Sequence, residues 1–186
     1  MPILGSLASQ NTKSFLFAPS AAYEQIAATT VGAGGIGTVT FNGIPQTYQH
    51  LQLRFLAGSS TTNQDVFATF NGDSTGANYA LHYLYGGGSG GGASGNTLSA
   101  GHISAGYVNT TGTDFGVGVV DILDYADTNK YKTTRTLTGY DTSGSGVLVF
   151  YSGLWLSTTA INSITLVINN SRNFIQYSQF ALYGIK

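Results

Sequence analysis

The chain has 186 residues and a mass of 19.4 kDa, room for one domain and an arm but not for two full cores. Its 7 Lys and Arg and 8 Asp and Glu make up 8% of residues and leave a net charge of -1, against roughly 25% charged residues in an ordinary soluble domain. That excludes a basic footprint for nucleic acid or an anionic membrane, and the absence of cysteine excludes disulfide staples, thiol catalysis and zinc-thiolate sites.

The opening MPILGSLASQ has neither the basic start nor the longer apolar run of a signal peptide, and it reads as mature and soluble. Residues 1–36 string the apolar anchors Ile3, Leu4, Leu7, Phe15, Leu16, Phe17, Tyr23 and Ile26 between small polar residues. Such a segment has no core of its own and predicts an extended arm that needs a surface to lie on. It ends in Val31 to Gly37, where Gly32, Gly34 and Gly37 match a dinucleotide fingerprint in letters only. The fingerprint needs a helix after it and an acid about 20 positions on; here a strand and turn follow, and the next acid is Asp65.

From residue 37 the pattern has period two. Val39 and Phe41 alternate with Thr38, Thr40 and Asn42, and Leu51, Leu53 and Phe55 with His50, Gln52 and Arg54, each a strand with one dry face. Comparable runs follow at 66–70, 79–85, 101–108, 115–123, 131–140, 147–156, 163–168 and 176–185, which makes nine or ten strands. Asn42-Gly43, Asn71-Gly72-Asp73, the 141–146 segment and Asn169-Asn170 supply turn residues that tolerate positive φ. With no helical period after residue 30, residues 37–186 are expected to form an all-β antiparallel sandwich, specifically a jelly roll. Its core is expected at Phe41, Leu53, Phe55, Phe70, Val119, Leu148, Trp155, Leu166 and Phe180.

Residues 86–95, GGGSGGGASG, read as a flexible loop with nothing to bury. Ser89 within it matches a nucleophile elbow in letters but lacks the rigid strand-to-helix turn. The three histidines, His50, His82 and His102, are the only candidate bases, and the sheet setting of His82 argues for a structural role. Asp121, Asp124 and Asp127 do not have the spacing of a calcium loop. Asp124 to Lys132 is expected as a charged hairpin end, with Lys130 and Lys132 answering the aspartates. Glu24 is the only glutamate, so paired-carboxylate hydrolysis has little to work with. No catalytic residue, cofactor or metal is expected, and no enzyme.

Five stretches in order resemble a family of tailed-bacteriophage virion proteins encoded among head and tail genes: MPILGSLASQ with FLFAPSAAYEQIAATT, TVTFNGIPQTYQHLQLR, FNGDSTGANYALHYL, DILDYADTNKYKTTR, and SGLWLSTTAINSITLVI followed by FALYGIK. The glycine-rich 86–95 stretch and the low charge depart from that family's pattern. The resemblance implies a β-sandwich that assembles in a virion, with no catalytic residue carried over. Two readings follow, and the arm favours the first, a capsid decoration or cement protein on the outer surface of the shell, expected as a homotrimer with the major capsid protein as partner. The arm residues Ile3, Leu4, Leu7, Phe15, Leu16 and Phe17 are the expected shell contacts. An adhesive module of a tail or head fibre that binds host glycan through exposed tyrosines is the alternative, kept open by the 12 Tyr.

Overall fold

The computed structural model describes residues 22–96, 101–109 and 113–186. Among these residues, twelve strands form two antiparallel sheets. In chain order they are β1 (Tyr23–Thr30), β2 (Thr38–Phe41), β3 (His50–Ala57), β4 (Gln64–Phe70), β5 (Tyr79–Gly87), β6 (Gly90–Asn96), β7 (Ile103–Val108), β8 (Gly116–Leu123), β9 (Lys132–Asp141), β10 (Gly146–Trp155), β11 (Ile164–Ile168) and β12 (Gln179–Ile185). Helix among the described residues is limited to two single 3-10 turns, Gly76–Asn78 and Asn169–Ser171.

The wide sheet runs β1-β12-β3-β8-β9-β10-β5-β6 and the narrow sheet β2-β11-β4-β7. The eight strands β1, β2, β3, β4, β7, β8, β11 and β12 switch sheets at every step except from β4 to β7, which are neighbours in the narrow sheet, and their orders, 1-12-3-8 over 2-11-4-7, are those of a jelly roll. Two hairpins, β5–β6 and β9–β10, are inserted into that path. Both join the wide sheet beyond β8, so it extends past the edge of the narrow one as an overhang.

Period-two burial builds the core. Leu51, Leu53 and Phe55 on β3, Phe180 and Leu182 on β12, and Val120 and Ile122 on β8 meet Val39 and Phe41, Ile164 and Leu166, and Val66, Ala68 and Phe70 from the narrow sheet. Each large side chain removed from water in this way contributes about 1.5–3 kcal/mol. Trp155, 2% exposed, joins core to overhang. Its ring centre lies 5.5 Å from Phe70 and 6.4 Å from Tyr79, and its Nε1–H donates to Asp73 Oδ2 at 2.7 Å. Asn78 Nδ2 and the Thr75 amide also donate to that carboxylate. Burial acts to raise the Asp73 pKa, but these donors outweigh it and hold the carboxyl at about 2.

Four expectations are corrected. The sandwich begins at Tyr23, not at residue 37: Tyr23–Thr30, expected as the end of the arm, pairs along β12 with a bulge between Gln25 and Ala27. As an edge strand it buries only part of Ile26 and Ala27, so it lacks the dry face that marks the other strands. The glycine-rich 86–95 stretch is the β5–β6 hairpin and not a flexible loop. Glycine is required by contact at Gly91, where a Cβ would lie 2.5 Å from the Tyr85 carbonyl oxygen. Val119 and Leu148 face out of the wide sheet, with Leu148 60% exposed.

Lys132, expected as a surface partner of the aspartates, is fully buried. Its Nζ donates to the carbonyls of Asp127 (2.5 Å), Lys130 (2.8 Å) and Thr158 (3.1 Å), so it closes the β8–β9 turn from inside. Burial lowers its pKa.

Candidate functional site

The strand registers define rows across the outer face of the wide sheet. Leu56, Val117, Gly139, Leu148 and Gly86 make one row, and Arg54, Val119, Leu137, Phe150 and Leu84 the next. Side chains directly opposite one another on neighbouring strands lie about 4.5–5.5 Å apart, so these rows form one continuous apolar patch with Arg54 at its edge. Leu84, Val117, Leu137 and Leu148 are each more than half exposed. Gly139 and Gly86 leave a groove of about 830 Å³ bordered by Val117, Leu137 and Leu148.

The next row is polar. Gln52 Nε2 donates to Asp121 Oδ1 at 2.6 Å, Arg54 Nε donates to Gln52 Oε1 at 2.5 Å, and Asp121 lies opposite Arg135. The Arg54 guanidinium stacks on Tyr23 and Tyr183, at 5.0 and 4.8 Å from their ring centres. The outer face is thus divided into an apolar half at one end of the strands and a hydrogen-bonded half at the other.

A second feature lies on the opposite face of the same sheet. Where the narrow sheet stops at β7, the inner face of β10 and β5 continues with Val147, Val149, Tyr151, Leu81, Tyr83 and Tyr85. With Asp65 and Phe67 from β4, Ser104 and Tyr107 from β7, and His102, these line a cleft of about 480 Å³, within the 300–1,000 Å³ typical of ligand sites. Its walls are aromatic. Phe67 and His102 stack at 3.5 Å, Tyr107 stacks on Tyr140 at 5.8 Å and 11°, and Tyr83 lies 5.7 Å from Tyr151 and 6.2 Å from Tyr85.

The polar centre of the cleft is Asp65, whose Oδ1 accepts the Tyr151 hydroxyl at 3.1 Å. Among the described residues no cation forms an ion pair with it and no Lys or Arg lines the cleft. Burial raises the Asp65 pKa and outweighs the Tyr151 hydrogen bond, which lowers it. Burial likewise raises the Tyr107, Tyr140 and Tyr151 hydroxyls. The three tyrosines are therefore protonated at neutral pH, with the Tyr151 hydroxyl donating to Asp65 and the Tyr140 hydroxyl to Asn63 Oδ1.

The expected shell contacts Ile3, Leu4, Leu7, Phe15, Leu16 and Phe17 lie outside the described residues. Asp121, Asp124 and Asp127 do not converge: Asp121 binds Gln52, whereas Lys130 Nζ lies 3.0 Å from Asp124 Oδ2 and 3.3 Å from Asp127 Oδ2. No group of His, Asp or Glu among the described residues is arranged to hold a metal ion. His50 Nδ1 accepts the Asp124 amide at 3.0 Å, and His82 sits on the outer face beside Gly95. Sequence reasoning did not pick out Asp65 and Tyr107; their pairing across β4 and β7 brings them together.

Compared with known proteins, the chain matches no family model, no curated protein and no solved structure.

Proposed function

We propose that the protein is a non-catalytic structural component of a virion, a decoration protein that binds the outside of the capsid shell as a homo-oligomer. The observation that carries this reading is the apolar half of the outer face of the wide sheet. Contiguous exposed apolar area of this kind marks an interaction surface in a soluble protein, and a net charge of -1 gives little colloidal protection to a lone monomer. From strand spacing and rise, the outer face of the eight-stranded sheet covers on the order of 900 Å², so a partner that covers the hydrogen-bonded half along with the apolar half reaches the about 800 Å² that each side contributes to a standard interface. A second copy of the chain is the occupant assigned to it, and the resemblance to capsid proteins makes a trimer the expected state. The arm, with Ile3, Leu4, Leu7, Phe15, Leu16 and Phe17 as anchors, is then free to contact the major capsid protein.

Light scattering of the purified chain tests the assembly step. An oligomer at micromolar concentration that falls to a monomer in the Leu137→Asp, Leu148→Asp double variant supports it, and a monomeric parent chain refutes it. Copy number tests the location. Hundreds of copies over the head surface fit decoration, whereas a few copies confined to the tail would replace it with the fibre reading.

A further inference from the structure

We infer that the aromatic cleft under the overhang is a binding site for a neutral saccharide. A sugar ring presents a flat C–H face and a rim of hydroxyls, so its site needs aromatic planes and hydrogen-bond acceptors without strong opposing charge. The cleft supplies both. Tyr83 and Tyr85 stand along one wall and Tyr107 along the other, and Tyr107 is held by its stack on Tyr140. Rings fixed in place before binding lose little freedom on binding, which raises affinity without new contacts.

Asp65 supplies the acceptor. It is a carboxylate set among aromatic side chains, hydrogen-bonded to the Tyr151 hydroxyl. A purely structural aspartate in this fold looks different: Asp73 is held by Trp155, Asn78 and Thr75 together. With two oxygens able to accept about four hydrogen bonds, Asp65 is suited to receive hydroxyls from a ligand. The cleft has no Lys or Arg in its described lining, which disfavours phosphates, sulfates and acidic sugars.

This inference is independent of the capsid reading, because it concerns the purified chain whatever its place in a virion. The experiment titrates the full chain with glucose, galactose, mannose, rhamnose, N-acetylglucosamine and their common disaccharides, up to roughly 50 mM, followed by saturation-transfer NMR and tyrosine fluorescence. N-acetylneuraminic acid and tetramethylammonium are run beside them. At least one neutral sugar should bind, with an affinity insensitive to salt, and both control probes should bind at least about tenfold more weakly. Asp65→Asn and Tyr85→Ala should each weaken sugar binding about tenfold or more while circular dichroism of the variants stays that of the parent. Tyr85 is substantially exposed, so its variant keeps the test valid if Asp65→Asn perturbs folding. Failure of every neutral sugar to bind, binding that neither variant weakens, or preferential binding of tetramethylammonium would overturn the inference. None of those results would bear on oligomeric state or copy number.

Discussion

The two halves of the wide sheet use the same alternation to different ends. Under the narrow sheet, the inner positions of β3, β8 and β12 are aliphatic or phenyl: Leu51, Leu53, Phe55, Val120, Ile122, Phe180 and Leu182. In the overhang the same inward positions carry hydroxyls and amphipathic rings: Thr134, Thr136 and Thr138 on β9, Tyr151 on β10, and Tyr83 and Tyr85 on β5. The β9 threonines make the transition. Thr136 Oγ1 donates to the Ser104 carbonyl and Thr138 Oγ1 accepts the Tyr107 amide, clipping the last strand of the narrow sheet onto the wide one. Where a second sheet covers the first, dryness decides the side chain. Where the cover ends, the positions are filled by groups that tolerate water at one end, which is the composition of a place where something else can bind.

The largest test of this division is the residue that spans it. Trp155→Ala should cost about 3–5 kcal/mol of folding stability in urea denaturation, because it removes a ring packed on Phe70 and Tyr79 and takes from Asp73 one of its three donors. A loss below about 1 kcal/mol would mean that the two halves are not joined through it. Lys132→Met should cost about 2–3 kcal/mol, since three carbonyls at the β8–β9 turn lose the common donor that a fully buried side chain supplies. A neutral effect would show that the turn carbonyls find other partners.

Two aspartates sharpen the comparison through pH, with opposite signs. The Asp73 pKa is lowered from 3.8 to about 2, so its contribution is present above 3.8 and lost as pH falls toward 2. The Asp65 pKa is raised above 3.8, so its contribution is present below 3.8 and lost as pH rises through the higher folded value. Melting temperatures from pH 2 to 7 should therefore show Asp73→Asn flattening the acid limb and Asp65→Asn raising stability at pH 7. A destabilised Asp65→Asn protein at neutral pH would reverse the second sign. The smallest expected effect is at the outer face: Leu137→Ser and Leu148→Ser should each change folding stability by no more than about 0.5 kcal/mol, as measured by denaturation of the monomeric form.

The regular alternation of the chain made most strands legible in the sequence, and the exceptions have physical causes. β1 is an edge strand without a dry face, and β6 has almost no side chains to alternate. The inward parity of β8 was misread because valine is more apolar than glycine, yet the Phe55 ring occupies the space under Gly118, where a Cβ would lie 2.2 Å from it. The alternate residues, Val117 and Val119, are turned out to solvent. Leu148 follows the same logic, since Trp155 facing inward forces even-numbered positions of unbroken β10 outward. The tyrosines of the cleft were visible as a strand pattern, but Asp65 reaches them only through the jelly-roll order, which no local window contains.

The pairing of β1 with β12 places residue 22 beside the last residues of the chain: Tyr23 lies opposite Ile185, and the Lys186 amide donates to the Ala22 carbonyl. A pulling force applied between residue 22 and residue 186 therefore acts at one end of a single antiparallel ladder. Its hydrogen bonds run perpendicular to the strands and would open one after another, like a zipper, with no two forced to break together. If the segment before β1 is the tether, the fold's mechanical weak point is its first strand. Under tension that strand would peel away while the remaining strands of the sandwich, and the cleft beneath the overhang, keep their shape.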